Sequence, residues 1–422
     1  MEHDAFLNKS QWETEIMPVY GALDHDIHTD VVVVGGGITG LLSAYQLAKA
    51  GKKVVVIEKN SIGGGATRLT TAFLTEYIDT SARDLITMLG EENARSVITS
   101  HREAISRMEQ LIHGEEIEAD FKRIPGFIYA HNGAEQKEVE AEREALLSLG
   151  TMAGAVTNHL PFRATGAIEL GNQAKFHPLK FIKGILSSIH GYDGQIFAGT
   201  EVTKITHEEK AVHIQTPHGT VSAEWVIVAT YEPFTKPLSL FFKKAFYTSY
   251  VVELEIPRNA IPEGIYEDTL DPYHYFRIDT GVDHDRMLIG GEDHRSDLPG
   301  IDPHTQFAAV RDYAYHILGS IPHKLISHWS GPILEPVDGL AYIGALRDPR
   351  VLYAMAFSGN GMTYGAIAAQ IFHDTIVGHP NPYKELYRAD RAPELLSLGI
   401  KARDFTREFF NSAAKNKLRR QT

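Results

Sequence analysis

Two hydrophobic periods take turns along this chain of 422 residues. Residues 30–40 read D-V-V-V-V-G-G-G-I-T-G, and four consecutive valines without polar alternation predict a strand buried on both faces. Ile38–Lys49 predicts the helix that follows, and Val54–Ile57 a second buried strand closing on Glu58. From Ser81 to Gly150 the pattern is helical and charged, with Glu135, Glu138 and Glu142 marking a solvated face beside Arg143. Between these helices Phe121–Ala130 predicts a strand bent at Pro125–Gly126.

A helix opens at His177–Pro178, with proline at a starting position and Leu179, Ile182 and Ile185 at apolar spacing. Gln195–Phe197 then predicts a parallel-type strand. Val202–Thr206, Val212–Gln215 and Thr220–Ser222 form a small antiparallel meander turning at Gly219, and Trp225–Ala229 a return strand ending at Ala229–Thr230. From Phe246 to Gly291 the rhythm alternates. Tyr250, Val252, Leu254 and Ile256 share one strand face against Glu253 and Glu255; Tyr273, Tyr275 and Arg277 share another against His274, Phe276 and Ile278. This predicts a second, antiparallel sheet and therefore a second domain. A strand at Val351–Ala356, the loop F-S-G-N-G-M-T-Y-G and a helix to about Val377 close the informative part.

The first glycine run carries chemistry. Gly35, Gly37 and Gly40 fill G-x-G-x-x-G between strand and helix: the first permits the turn, the second lets a pyrophosphate approach, and the third packs helix on strand. Glu58 stands 18 positions past Gly40, near the roughly 20 expected of the acid that holds an adenosine ribose. A dinucleotide is the expected ligand. The second strand, glycine loop and helix start, at Phe357–Gly365, fits a larger dinucleotide better than NAD alone. A net charge of −13 argues against nucleic acid as the main partner. The chain has no cysteine, which excludes disulfides, thiolate metal sites and a cysteinyl–flavin bond and is compatible with a reducing cytosol. Residues 1–30 lack a signal-peptide pattern and no window resembles a membrane span, so a cytoplasmic protein is expected. His284 and His294, near Asp283, Asp285, Glu292 and Asp293, lack regular ligand spacing, and no metal is expected. His177 is read as a capping or packing residue as much as a catalytic one. The basic stretch Lys401–Arg420, with Phe405, Phe409 and Phe410, is read as a helix lying on its own protein, with an acidic surface or partner as the other possibility.

In chain order, G-G-G-I-T-G with Glu58, G-G-A-T-R-L-T-T-A-F-L-T, F-H-P-L-K-F, A-T-Y-E-P-F, W-S-G-P-I-L-E-P-V-D-G-L-A-Y-I-G and F-S-G-N-G-M-T-Y-G resemble the FAD-dependent oxidoreductases of the D-amino acid oxidase/glycine oxidase class. The likeness spans about Asp30 to Tyr387 and is nearest to the branch that often carries a C-terminal Rieske domain. With the chain ending at Thr422 and no cysteine, that domain is expected to be absent. The resemblance implies an α/β fold: a Rossmann-type FAD-binding domain with a small β-meander (29–95, 170–235 and 326–390) interleaved with an α+β substrate domain on an antiparallel sheet (96–169 and 236–325). Residues 1–28 would form an extension and 391–422 a helical tail.

By the same resemblance FAD binds extended and non-covalently. Gly35, Gly37 and Gly40 face the pyrophosphate, Glu58 the ribose, Thr70 and Thr71 the stretch toward the flavin, and Val202 the adenine. Gly359, Gly361, Met362 and Thr363 lie at the flavin ring, and Ile38, Thr39, Lys59, Thr67, Ala229, Thr230, Gly331 and Asn360 complete the cofactor set. Phe73 stands where relatives often have histidine, which argues against a covalent link. The implied reaction is oxidation of an amine or amino acid by hydride transfer to flavin N5, the imine then being hydrolysed, with dioxygen or a small redox carrier as acceptor. Tyr273, Tyr275 and Arg277 are the expected catalytic wall, Arg277 clamping a carboxylate; the other reading pairs Arg277 with an acid and packs the tyrosines on a helix. A dehydrogenase with a separate electron-transfer partner and a flavin-binding subunit without turnover are the alternatives, and the oligomeric state is open.

Overall fold

Val31–Val34 are at most 4% exposed because the strand Ile27–Val34 lies between two parallel neighbours, Val54–Ile57 and Thr220–Val228, and is covered on both faces. Val31 and Val33 join one apolar cluster and Val32 and Val34 another. The computed structural model describes residues 9–156, 160–209, 211–234, 244–296 and 301–392. Its first sheet runs Tyr342–Ala345, Val351–Met355, Thr220–Val228, Ile27–Val34, Val54–Ile57, Gln195–Phe197, with Val212–Gln215 and Lys204–His207 branching from Thr220–Val228. The return strand is one continuous element rather than the two pieces expected.

Among the described residues six α-helices follow in chain order: α1 Ile38–Lys49, α2 Ala82–Gly114, α3 Gly133–Ser148, α4 Pro178–Gly191, α5 Pro303–Leu318 and α6 Gly361–Val377. α1 lies against α4 and α6 on one face of the first sheet, and the meander covers the other. α2 meets α3 at its first turn, breaks at Gly90, whose φ of 76° is left-handed, and packs on α6. His177 caps α4, its Nδ1 accepting from Lys180 N at 3.2 Å, so its role is structural.

The second sheet runs Lys324–Pro336, Lys244–Pro257, His284–Arg295, His274–Asp279, Ile265–Asp268, Lys122–Ala130, Gly166–Lys175, Phe73–Leu74. One of its faces holds Tyr250, Val252, Leu254, Ile256, Phe276 and Ile278 in a cluster closed by Val310, Ala314, Ile317 and Leu318 of α5. Phe73–Leu74, Gly166–Lys175 and Lys324–Pro336 all hydrogen-bond into the second sheet, so successive strands change sheets between Ile57 and Phe73, Lys175 and Gln195, Val228 and Lys244, and Pro336 and Tyr342. Residues 9–28 do not hang free: Trp12 is 3% exposed and its Nε1 donates to Thr70 O at 2.7 Å. The expectation for residues 401–420 lies outside the described residues. Among the described residues no helix is long and apolar enough to cross a membrane.

Candidate active site

Between the two sheets lies a cavity of about 1270 Å³. That exceeds the roughly 300–1,000 Å³ of ordinary small-molecule sites and leaves room for a dinucleotide and a second, smaller ligand. The first sheet delivers two helix starts to it. At the end of Ile27–Val34 the chain turns through Gly35, with φ 117°, where an added Cβ would sit 2.3 Å from Ala229 O. Gly40 lets α1 lie on its strand, since a Cβ there would meet Gly35 O at 2.0 Å. Glu58 Oε2 accepts from Gly36 N at 2.7 Å, and Thr67 Oγ1 accepts from Ile38 N at 3.1 Å, which fixes the turn.

The second helix start is built with more strain. Ala356 and Ser358 both adopt positive φ, 58° and 49°, before α6 begins. Asp79 holds this loop by accepting from Gly359 N at 2.7 Å, and Asn360 answers by accepting from Asp79 N at 3.2 Å. Ser81, Asn132, His177 and Asp302 cap α2, α3, α4 and α5 with side-chain acceptors. α1 and α6, whose starts follow strands of the first sheet onto the cavity, have no side-chain cap from their own N-cap residues. Their positive ends are presented to the cavity, an arrangement suited to an anionic ligand.

Of the expected cofactor residues, Gly35, Gly37, Ile38, Thr39, Glu58, Lys59, Thr67, Thr70, Thr71, Val202, Ala229, Thr230, Gly331, Gly359, Asn360, Gly361 and Met362 line this one cavity. Gly40 and Thr363 do not. Gly40 serves the helix–strand contact, and Thr363, 1% exposed, bonds His101 Nδ1 at 2.8 Å behind the wall.

The opposite wall is the second sheet. A straight ladder row crosses it from Val251 through Gly290 and Tyr275 to Glu267 and Ile128. Gly290 makes the slot for Tyr275, because a Cβ there would lie 2.5 Å from the phenol oxygen. Tyr275 Oη meets Ser249 Oγ at 3.1 Å, and Tyr273 donates to Asp293 Oδ2 at 3.2 Å. Burial raises the pKa of both phenols, so they stand as neutral hydrogen-bonding groups. Burial also pushes the Asp293 carboxyl up to about 7.

Tyr273 and Tyr275 thus reach the cavity, but Arg277 does not. Its side chain is 3% exposed and its fork is committed: Nη2 pairs with Asp279 at 2.7 Å, and Nη1 donates to Thr71 O at 2.7 Å and Ala72 O at 3.1 Å. Trp12 covers it at 5.0 Å. The expected carboxylate clamp is therefore replaced by a structural arginine that pins the Thr70–Phe73 segment. The sequence reading missed Glu267, Asp79, Tyr77 and Ser249, all on the cavity wall.

The sequence matches the family described as FAD dependent oxidoreductase (DAO) over residues 30–375, and the chain belongs to that family. It is 27% identical over 390 residues to YhfW of Bacillus subtilis (strain 168), a protein whose name carries a Rieske 2Fe-2S iron–sulfur description; the match covers 91% of this chain and 75% of that one. It is also 27% identical over 386 residues to the gamma-glutamylputrescine oxidoreductase of Escherichia coli (strain K12), covering 85% and 86% of the two chains. The crystal structure of a glycine oxidase from Bacillus cereus ATCC 14579 shares the fold, with a TM-score of 0.70, 19% identity and coverage of 86% of this chain and 99% of that one. The protein is an FAD-dependent oxidoreductase. The two helix starts, the glycine close approaches and the cavity volume fit that cofactor.

Proposed function

We propose that this protein oxidises the carbon–nitrogen bond of a small amine or amino acid, holding FAD non-covalently and passing electrons to dioxygen or a small redox carrier. The observation that carries the reading is that the start of α6 and the Tyr273–Tyr275 wall share one cavity. The named relatives, an oxidoreductase of gamma-glutamylputrescine and a glycine oxidase, support it. A cysteine-free chain fits a reducing cytosol.

When bound, FAD would supply a two-electron acceptor for oxidation of the carbon–nitrogen bond to an imine, which water hydrolyses. The chain's own part is placement and dryness. Val251, Ile128 and the rings of Tyr273 and Tyr275 give the wall an apolar surface, and desolvation lowers an amine's pKa, so the reacting nitrogen keeps its lone pair. Ser249 and Asp293 fix the two phenols. The positive end of α6 favours negative charge at Gly361–Met362.

Anaerobic mixing of the yellow holoprotein with glycine derivatives, D- and L-amino acids and polyamines is expected to bleach the flavin with at least one amine. A flavin that no member of the panel bleaches would overturn the reading. Fast recolouring in air would mark an oxidase, and slow recolouring a dehydrogenase with its own partner.

A further inference from the structure

We infer that the substrate is a dication, an amine whose second ammonium group is held by Glu267, rather than an amino acid held by its carboxylate. This rests on the amine-oxidising reading above and narrows it.

Charge on the wall is one-sided. Among the described residues that line the cavity, nine side chains are acidic and two, Lys59 and Arg83, are basic. Lys59 Nζ is paired with Glu201 at 2.7 Å, beside Glu58 in the first-sheet half of the cavity. Arg83 sits in the first turn of α2, whose opening N–H groups are taken up by Glu142. With Arg277 committed to Asp279, the described residues of the tyrosine wall offer a substrate carboxylate no cation.

Glu267 is the carboxylic acid of the ladder row that forms this wall, with Tyr275 beside it on one strand and Ile128 on the other. Burial first, and the negative charge of Asp79 second, push its carboxyl up to about 8, the behaviour of an acid without a counter-ion. A second polar group stands beside it. Tyr77, 7% exposed and on the same cavity wall, turns its hydroxyl toward Glu267, so the phenol oxygen and the carboxylate face the same space. An ammonium ion offers three donors; placed here it would neutralise Glu267 and give the Tyr77 oxygen a donor.

This cation cannot be the reacting nitrogen. An amine bound to a carboxylate keeps its proton and has no lone pair to stabilise the developing imine. The reacting nitrogen therefore belongs on the apolar part of the row, toward Tyr275 and Val251, and Glu267 holds a different one. Neighbouring strands lie about 4.8 Å apart, so a spacer of a few methylenes connects the two positions.

The test compares three four-carbon substrates with the holoenzyme: 1,4-diaminobutane, butylamine and 4-aminobutanoate. Wild-type kcat/KM is expected to fall in that order, with the diamine at least about tenfold ahead of butylamine, which corresponds to roughly 1.4 kcal/mol. In Glu267→Gln the diamine-over-butylamine preference is expected to collapse at least about tenfold, mainly through KM, at equal flavin content. A preference unchanged by the substitution, or 4-aminobutanoate as the best wild-type substrate, would overturn the inference. The wild-type ranking decides the matter even if the variant fails to fold. Flavin bleached by simple amino acids but not by the diamine would remove the dication alone; flavin bleached by no amine at all would remove the amine-oxidising reading with it.

Discussion

Gly37→Val protein is expected to purify colourless, with bound FAD below about a tenth of the wild-type content. Gly37 is the residue from which α1 starts, with φ −86° and ψ −177°, a conformation open to any residue. The backbone therefore tolerates the change; the ligand does not. A Cβ there would stand 3.2 Å from Thr67 Oγ1, which holds Ile38 N, and the two added methyl groups must displace that hydroxyl or enter the cavity. Overpacking of this kind costs about 1–3 kcal/mol, roughly 5- to 150-fold in affinity. Gly35 and Gly40 would be poorer probes. Their Cβ atoms would fall 2.3 and 2.0 Å from backbone oxygens, so substitution there breaks the strand–helix unit itself. Absorbance of the purified protein reads the flavin, and circular dichroism shows that the fold is kept. Adding FAD to 100 times the wild-type Kd should stabilise wild-type apoprotein by about 2.7 kcal/mol and the variant by only about 0.3–1.8 kcal/mol. Full flavin content in Gly37→Val would remove the first glycine turn from the cofactor site.

The first sheet was readable because parallel strands buried on both faces appear as unbroken apolar runs, and Val31–Val34 and Val54–Ile57 are such runs. The second sheet was readable only in part. Phe73–Leu74 is too short to show a period, and Lys324–Pro336 carries serine, glycine and proline among its apolar residues, yet pairs along Lys244–Pro257 for most of its length. Alternation correctly placed Tyr273, Tyr275 and Arg277 on one face. It could not say how far along that face the cavity reaches, because Trp12 and Asp279, which cover Arg277, are set by tertiary packing. Glu267 was hidden for the same reason. Its company is decided by the pairing of Ile265–Asp268 with Lys122–Ala130, a contact between segments far apart in sequence. Motif positions were legible since they depend on local backbone, and the substrate wall was not, since it depends on strand order.

Arg277→Ala is expected to lower folding stability by about 3–5 kcal/mol at neutral pH, the usual cost of stripping one partner from a buried ion pair. The substitution leaves Asp279 with Lys175 as its remaining cation, 2.6 Å away, and frees the carbonyls of Thr71 and Ala72 in a buried place. Ala72 holds a left-handed φ of 57°, so the segment it belongs to loses the bonds that over-determine a strained conformation. That segment lines the cofactor cavity through Thr70, Thr71 and Phe73, and flavin content should fall with stability. The pH dependence has a definite sign. Burial would raise the Asp279 carboxyl, but Arg277 and Lys175 outweigh it and hold it down from 3.8 to about 2. A depressed acid contributes stability that is fully present above its ordinary pKa and lost as pH falls toward the folded value. The gap between wild type and variant should thus be widest above about pH 4 and narrow from there toward pH 2. Urea titrations at pH 7 and pH 3 measure it. A variant as stable as wild type, with only its KM for carboxylate substrates raised, would return Arg277 to the substrate wall and contradict the buried pairing with Asp279.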